Sequence, residues 1–302
     1  ASVSWRRRLS RLAMARDTSG AVTWRTLLNE TIEVLGERPQ ARWICETACG
    51  LDGDEFVAEL DEPATERMVA QLDAMVARYR AGEPLAYVMG HWSFRTIELM
   101  VDRRVLIPRP ETEMVAGRAL ELARGVADQR RVVDLGTGSG AIGLSLAAEL
   151  PITGTEVWLT DYSTDAVDVA RANAIGLGRA AANVRVVHGS WFDALPVDIR
   201  GEIDVVVSNP PYIADGDPEV AESVLEYEPH TALFAGDDGL DDVRTIARDA
   251  RDWLRSGGWL VMEIGYQQGD AVKALLEGFG FVDVAIANDL TGRPRIAEGR
   301  NP

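Results

Sequence analysis

The chain has 302 residues, 46% of them hydrophobic, and its 48 acids outnumber 31 basic residues to leave a net charge of −17. That length and apolar content exclude a disordered chain and lead us to expect two domains. The charge argues against a protein that grips naked DNA unaided, because a surface that repels phosphate needs a dedicated basic module, and no apolar run reaches transmembrane length.

The acidity is uneven: residues 1–80 hold 11 arginines and no lysine against 13 acids, and the rest of the chain holds 20 bases against 35 acids. Residues 1–20 form an N-terminal extension in which Arg6, Arg7, Arg8, Arg11 and Arg16 make a basic leader. Such a leader reads as a loose tail more readily than as a binding site, and it lacks the apolar stretch of a secretory signal. Residues 24–35 have helical periodicity, 39–48 and 55–60 look like further helices, and 63–80 is a long amphipathic helix. Residues 21–82 are therefore expected to be a small all-helical domain. Cys45 and Cys49 lie four apart with no nearby Cys or His to complete a metal set, which predicts reduced thiols in a cytoplasmic protein.

Gly82-Glu83-Pro84 breaks the helical pattern, after which 91–100 and 101–107 look extended and are expected to pair, making residues 83–107 a hairpin linker. From Pro108 to the end the pattern is α/β. A helix over 111–124 is followed by strands at 131–135, 156–161, 184–188, 203–208, 259–264, 281–287 and 295–297, with helices at 141–150, 240–255 and 267–279. Alternating strands and helices imply a mostly parallel sheet with its ligand at the carboxyl ends of the strands. Glu111 and Glu113 follow Pro110 at a helix start, where negative charge is favourable. Glu263, at the end of strand 259–264, lies at the ligand edge of the sheet, and its alternative reading is a partly exposed strand end.

Two turns carry the chemistry. The first, Gly136-Thr137-Gly138-Ser139-Gly140, joins a β-branched strand to a helix, the layout that brings backbone N–H groups close to a nucleotide-like ligand. Gly138, Gly140 and Gly143 also satisfy the dinucleotide fingerprint. S-adenosylmethionine is favoured because Asp134, two residues before the first glycine, would repel a pyrophosphate but suits the polar groups of an amino acid. Asp161, at the end of the next strand, is placed to accept two ribose hydroxyls, and Ser163 or Thr164 can cap the following helix in its stead.

The second turn, Asn209-Pro210-Pro211-Tyr212, ends the apolar strand 203–208. Two prolines stop a strand abruptly and leave carbonyls without ladder partners. Asn209 Oδ1 and the Pro210 carbonyl can accept both hydrogens of a planar NH2 group while Tyr212 covers its face. The bland alternative is a strand followed by a proline-rich loop.

With these elements in order, residues 24–300 resemble the HemK/PrmC-type peptide chain release factor glutamine methyltransferases. The resemblance is carried by Arg103-Arg104-Val105-Leu106-Ile107-Pro108-Arg109-Pro110-Glu111-Thr112-Glu113 together with Asn209-Pro210-Pro211-Tyr212-Ile213. It implies a seven-stranded, Rossmann-like, S-adenosylmethionine-dependent methyltransferase domain over 108–302, preceded by a helical substrate-recognition domain and a β-hairpin linker. It further implies methylation of the side-chain amide of the glutamine in the Gly-Gly-Gln motif of release factors, in the cytoplasm. S-adenosylmethionine would become S-adenosylhomocysteine, with no metal, no membrane and no stable DNA binding. By the same resemblance Gly136, Thr137, Gly138, Ser139 and Gly140 line the methionine and ribose, Asp161 takes the ribose hydroxyls and Trp191 flanks the adenine. Asn209, Pro210, Pro211 and Tyr212 hold the substrate amide, with Asn209 also near the cofactor. Many relatives carry an acid just before the residue matching Trp191; this chain has Ser190 there, and Asp193 is the alternative acid.

The chemistry asked of such a site is positional. An amide nitrogen is a poor nucleophile, so it must be aligned with the sulfonium methyl. Its proton becomes acidic only after methyl transfer, so no general base is required, and His91, His188 and His230 read as structural. The rivals are an exocyclic-amine nucleic-acid methyltransferase acting on adenine N6 or guanine N2, glutamine methylation of a ribosomal protein, and a dinucleotide-dependent oxidoreductase. The last leaves Asn209 to Tyr212 unexplained.

Overall fold

Thr23 starts the first helix, Trp24–Leu35, by accepting a hydrogen bond from the Thr26 N–H, and Gly36 ends it in a left-handed conformation with φ 74°. The computed structural model describes residues 22–302, so the arginines of the leader, Arg6 to Arg16, lie outside the described residues. Helices Arg38–Cys49, Gly53–Ala58 and Glu66–Arg80 follow. Their apolar faces meet in one core around Trp24, Leu27, Ile44, Phe56, Leu72 and Val76, where the Trp24 and Phe56 rings pack edge-on at 5.9 Å. Arg78 ties in a further short helix, Leu85–Met89, by donating to the Tyr87 carbonyl at 2.8 Å and pairing with Glu83 at 2.8 Å. The sequence reading lacked this five-residue turn of helix because Gly82 and Pro84 punctuate its start. Burial pushes the Cys45 thiol up to about 11, so it behaves as a small apolar side chain, and both cysteines are free.

The chain divides into two units between Met89 and Gly90. The second opens with a hairpin of β1 (His91–Phe94) and β2 (Ile97–Met100), with His91 opposite Met100. The expected pairing of 91–100 with 101–107 is thereby corrected: both strands lie within 91–100, and the chain reverses at Arg95-Thr96. Arg95 holds this tip at φ 52°. Its N–H donates to the Glu113 carboxylate at 3.0 Å, and its guanidinium clamps Glu149 at 2.6 and 2.9 Å. Residues 101–107 cannot form a ladder strand because Asp102 accepts the Arg104 N–H at 3.0 Å, a local turn that bends the chain.

After helix Pro110–Arg124 come β3 (Arg130–Leu135), β4 (Thr155–Asp161), β5 (Val184–His188), β6 (Ile203–Ser208), β7 (Leu254–Glu263), β8 (Val282–Asn288) and β9 (Pro294–Arg300). They form one seven-stranded sheet in the order β5-β4-β3-β6-β7-β9-β8. The first five run parallel, and β9 is antiparallel to both of its neighbours. Helices Ala141–Glu149, Thr164–Leu177, Asp241–Trp253 and Gly269–Gly278 lie between strands in sequence. Val132, Val133, Val206, Val207, Leu260 and Val261 are fully buried, which is why the central strands read as near-continuous apolar runs. β7 begins five residues before the expected start, because a register shift between the Ile203–Leu254 and Val205–Trp259 pairs absorbs Ser256-Gly257-Gly258. The helix Glu222–Tyr227, which buries Tyr227, is a second element that the periodicity did not show.

The strand order reverses at β3, which has β4 on one side and β6 on the other. Leu135 pairs with Ser208, so β3 and β6 end level with each other. The glycine turn and the Asn-Pro-Pro-Tyr turn consequently leave the sheet side by side at its topological switch point.

Candidate active site

The glycine turn is built from its own neighbourhood. The Gly136 and Thr137 N–H groups both donate to the Thr160 carbonyl at 2.9 Å, which curls the chain after β3. Gly136 takes φ 69°, which strains any other residue, and a Cβ there would stand 3.1 Å from the Trp191 ring, so the ring would have to shift slightly to admit a side chain. Asp134 is buried; one carboxylate oxygen accepts from Thr137 Oγ1 at 2.6 Å and from the Gly143 N–H at 2.9 Å. Its other oxygen, Oδ1, has no hydrogen-bond partner among the described residues. Burial pushes this carboxyl up to about 6, against the pull of those two hydrogen bonds, and the nearby Asp161 adds to the rise.

Asp161 accepts from the Gly138 and Ser163 N–H groups at 2.9 Å each, while Ser163 caps the next helix by accepting from Ala166 N–H at 3.3 Å. Its carboxyl is raised, chiefly by burial. A carboxylate has about four acceptor positions, so two remain for hydroxyl donors. Trp191 follows β5 with φ 44°, a strained conformation for a bulky residue that lays its ring over Gly136. Ser190 is on the same wall, whereas Asp193 is exposed and outside it; Asp242, whose carboxyl burial also raises, lies on this wall instead. Together these groups enclose a cavity of about 380 Å³ that also reaches Thr112, Asn209 and Pro211.

The second turn is held from a distance. Asn209 Nδ2 donates to Thr112 Oγ1 at 3.2 Å, and Thr112 Oγ1 donates to Glu263 Oε2 at 2.6 Å. The Tyr212 hydroxyl donates to the other oxygen of Glu263 at 3.1 Å. Gln268 donates from Nε2 to the Tyr212 carbonyl at 2.9 Å, and its own Oε1 accepts the Gly265 N–H at 2.8 Å. Glu263 is only 1% exposed, which corrects its reading as a partly exposed strand end. Burial raises its carboxyl and, joined by the Glu263 charge, also raises the Tyr212 phenol. A second cavity of about 270 Å³ opens here, lined by Leu106, Arg109, Asn209, Tyr212, Ile213 and Leu233 among others. Arg109 is fixed by an ion pair with the buried Glu228, which also accepts the Ile107 N–H at 3.2 Å. Asn209 thus stands on the wall of both cavities. Pro211 lines the larger and Tyr212 the smaller, while Pro210 is buried and lines neither.

Both units of the chain resemble known proteins. The model of the methyltransferase small domain matches residues 118–232, and that of the PrmC N-terminal domain matches residues 24–90. A release factor glutamine methyltransferase of Xylella fastidiosa is 43% identical over 242 residues, covering 80% of this chain and 85% of its own. One of Burkholderia pseudomallei is 42% identical over 265 residues, covering 87% and 91%. The chain belongs to the release factor glutamine methyltransferase family. The fold is also that of the hMettl16 catalytic domain, solved in complex with the MAT2A 3′UTR hairpin 1, with a TM-score of 0.51 at 17% identity over 79% of this chain and 82% of that one.

For a member of the release factor glutamine methyltransferase family, the larger cavity fits S-adenosylmethionine by its donor set. The unpartnered Asp134 Oδ1 suits an ammonium, Asp161 suits vicinal hydroxyls and the Trp191 ring suits a planar base. Three acids on one wall favour a ligand with cationic centres and disfavour a pyrophosphate. Among the described residues, no helix is long and apolar enough to cross a membrane, and no group of three or more His, Cys, Asp or Glu is arranged to hold a metal ion.

The sequence reading did not place Thr112, Asp242 or Gln268 in this family member's candidate site, and it left Glu263, seen at the ligand edge of the sheet, outside it. Thr112 stands in the Arg103 to Glu113 stretch that carries the resemblance, but nothing there marks it as a partner of Asn209, and Gln268 carries no signal outside the fold. Glu263 does carry one, since a lone carboxylate closes an apolar strand, and the Ser208–Met262 pairing sets it beside Asn209.

Proposed function

We propose that this enzyme transfers a methyl group from S-adenosylmethionine to the side-chain amide nitrogen of a protein glutamine, that of the Gly-Gly-Gln motif of peptide chain release factors, in the cytoplasm. Asn209 carries the reading. It is the one member of the Asn-Pro-Pro-Tyr turn on the wall of both cavities, the larger with the donor set for the cofactor and the smaller, of about 270 Å³, beside the turn.

The bound cofactor supplies an electrophilic methyl carbon. The residues of the turn do the rest by position. Asn209 Oδ1 and the Pro210 carbonyl accept the two N–H bonds of the substrate amide, and the Tyr212 ring covers its face. These acceptors orient the nitrogen lone pair and oppose the positive charge that grows as the nitrogen pyramidalises, contributing on the order of 3 kcal/mol each in a buried site. The nitrogen loses its proton only after methyl transfer. His188 and His230 meet backbone carbonyls, of Tyr162 at 2.9 Å and Leu225 at 3.0 Å, in keeping with structural roles. The helical unit selects the protein partner, leaving the glutamine side chain to enter the smaller cavity.

The test is an incubation with labelled S-adenosylmethionine and either intact release factors or ribosomal proteins, followed by mass spectrometry of the labelled peptide. We expect one methyl group on the glutamine of a release factor; label confined to a ribosomal protein or to nucleic acid would overturn the assignment. A chain lacking residues 1–89 should bind S-adenosylhomocysteine yet fail to methylate an intact release factor.

A further inference from the structure

A primary amide has two ends of nearly equal shape and opposite hydrogen-bonding character, and only its partners decide which end faces which way. For Asn209 to receive the N–H bonds of a substrate amide, its Oδ1 must face the substrate and its Nδ2 must point into the protein. Among the described residues the partner of Nδ2 is a hydroxyl, Thr112 Oγ1 at 3.2 Å, and a hydroxyl can serve equally as donor or acceptor. The choice is made one step further in. Thr112 gives its single proton to Glu263 Oε2 at 2.6 Å, so it has only lone pairs to offer Asn209. Glu263 accepts at both of its oxygens, from Thr112 at one and from Tyr212 at the other, which gives the chain Asn209–Thr112–Glu263 a single direction.

The same carboxylate governs the other side chain of the turn. The Tyr212 hydroxyl donates to Glu263 Oε1 at 3.1 Å, so the two oxygens of one acid anchor the acceptor amide and the covering ring together. A carboxylate buried this deeply is costly, and an apolar residue of similar size would pack the end of β7 at lower cost if packing were its whole purpose.

We infer that Glu263 is a positioning residue for methyl transfer, acting through Thr112 to hold the Asn209 amide with Oδ1 toward the methyl acceptor and through Tyr212 to fix the ring beside it. This rests on the reading of Asn209 to Tyr212 as the amide-holding turn. Glutamine at 263 would offer an NH2 group to one of the two hydroxyls. Thr112 could then turn its proton onto Asn209 Oδ1, and the amide would rotate its acceptor away from the substrate.

The experiment is steady-state methylation of an intact release factor by the full chain carrying Glu263→Gln, Thr112→Val, both together, Thr112→Ser, or Asn209→Ala, with S-adenosylhomocysteine affinity and Tm measured for each. We expect Glu263→Gln and Thr112→Val each to lower kcat about 10- to 100-fold, the range for loss of preorganised groups. KM for the release factor and affinity for S-adenosylhomocysteine should stay within about threefold, and the double variant should be no slower than the slower single one, because the residues act in series. Thr112→Ser, which keeps the hydroxyl, should recover most of the turnover that Thr112→Val loses. If Glu263→Gln fails to fold, the Thr112 pair decides alone. Normal kcat in Thr112→Val, losses in Thr112→Ser equal to those in Thr112→Val, or additive losses in the double variant would overturn the inference. If Asn209→Ala is impaired while both single variants are normal, only Glu263 loses its role; if Asn209→Ala is also normal, the amide-holding turn itself is wrong.

Discussion

The two turns at the switch point of the sheet are made in opposite ways. The glycine turn after β3 is held by groups within 30 residues of one another: Asp134, Thr137 and Gly143 on one side, Thr160, Asp161 and Ser163 on the other. The Asn-Pro-Pro-Tyr turn after β6 is held by Thr112, Glu263 and Gln268, which lie 97, 51 and 56 residues away from the turn residue each one reaches. The first arrangement is a cradle whose shape comes with its local sequence. The second is a posture imposed on a short rigid segment by the folded sheet. Cofactor binding should therefore survive perturbations that spoil the alignment of the acceptor.

The sharpest way to separate the two is Asn209→Ala. It removes the proposed acceptor for the substrate amide and leaves the glycine turn, Asp134 and Asp161 untouched. Turnover should fall by about 100- to 1,000-fold, as for loss of one preorganised hydrogen-bonding group at a reacting centre. Affinity for S-adenosylhomocysteine should change by no more than about threefold; calorimetry and single-turnover assays give the two numbers, and comparable losses in both would erase the distinction between the turns.

The next effect belongs to the cradle. Asp134→Asn removes a charge without removing the oxygen that Thr137 and Gly143 use. Affinity for the cofactor should fall about 10- to 100-fold, the worth of a charge-assisted hydrogen bond in a dry site, while kcat at saturation falls less. The Asp134 carboxyl is raised by burial to about 6, above its ordinary value, so the ligand-free native state takes up a proton more readily than the unfolded chain. That proton-linked stability is present in full below the unfolded pKa and is lost as pH rises through about 6. A cationic ligand needs the ionised form, so affinity should run the other way, full above about pH 7 and weakening as pH drops below 6. Asp134→Asn should flatten this dependence and raise the Tm of the ligand-free protein at neutral pH by about 2–4 °C. Thermal shifts with and without ligand across pH 5–8 test both signs.

The same division explains what could be read before folding. The glycine turn, Asp134, Asp161 and the N-cap at Ser163 were legible because residue type, spacing and function fall within one strand-turn-helix unit. The Asn-Pro-Pro-Tyr turn was legible as a motif, and the alternation of strands and helices gave the sheet its parallel character. What supports that turn was not. Thr112 belongs to the Arg103 to Glu113 stretch, yet nothing in it announces its contact with Asn209, and nothing in Gln268 distinguishes it from other polar residues, until the sheet brings β6 and β7 together. Glu263 was legible at the ligand edge of the sheet but its role stayed open, because a strand end looks exposed when its covering elements are unknown. The hairpin was misplaced for a related reason: period-2 patterning marks extended chain, but the turn at Arg95 depends on Glu113 and Glu149, which are distant in sequence.

Trp191 offers a smaller effect within the cradle. Trp191→Ala should weaken cofactor binding about tenfold through lost stacking on the base. Trp191→Gly should bind as weakly but fold more stably than the alanine variant, by about 1 kcal/mol, because only glycine accepts φ 44° without strain. Equal stability of the two would mean that this backbone is not strained.

Gln268 should give the smallest effect and the finest test of an imposed posture. Its amide donates to the Tyr212 carbonyl at 2.9 Å and to the Gly239 carbonyl at 3.2 Å, and it accepts from Gly265, so it joins the turn to the segment after β7. The side chain is half-buried, and water can replace part of what it supplies. Gln268→Ala should therefore lower kcat only about three- to tenfold, the worth of one net hydrogen bond in a partly solvated place. The loss should appear in kcat for the protein substrate and be absent from S-adenosylhomocysteine affinity, because Gln268 touches the Tyr212 side of the turn and lines the cofactor cavity nowhere. A loss of cofactor affinity in Gln268→Ala would show that strain in the acceptor turn spreads into the cradle, and that the two turns are coupled through the switch point instead of merely adjoining there.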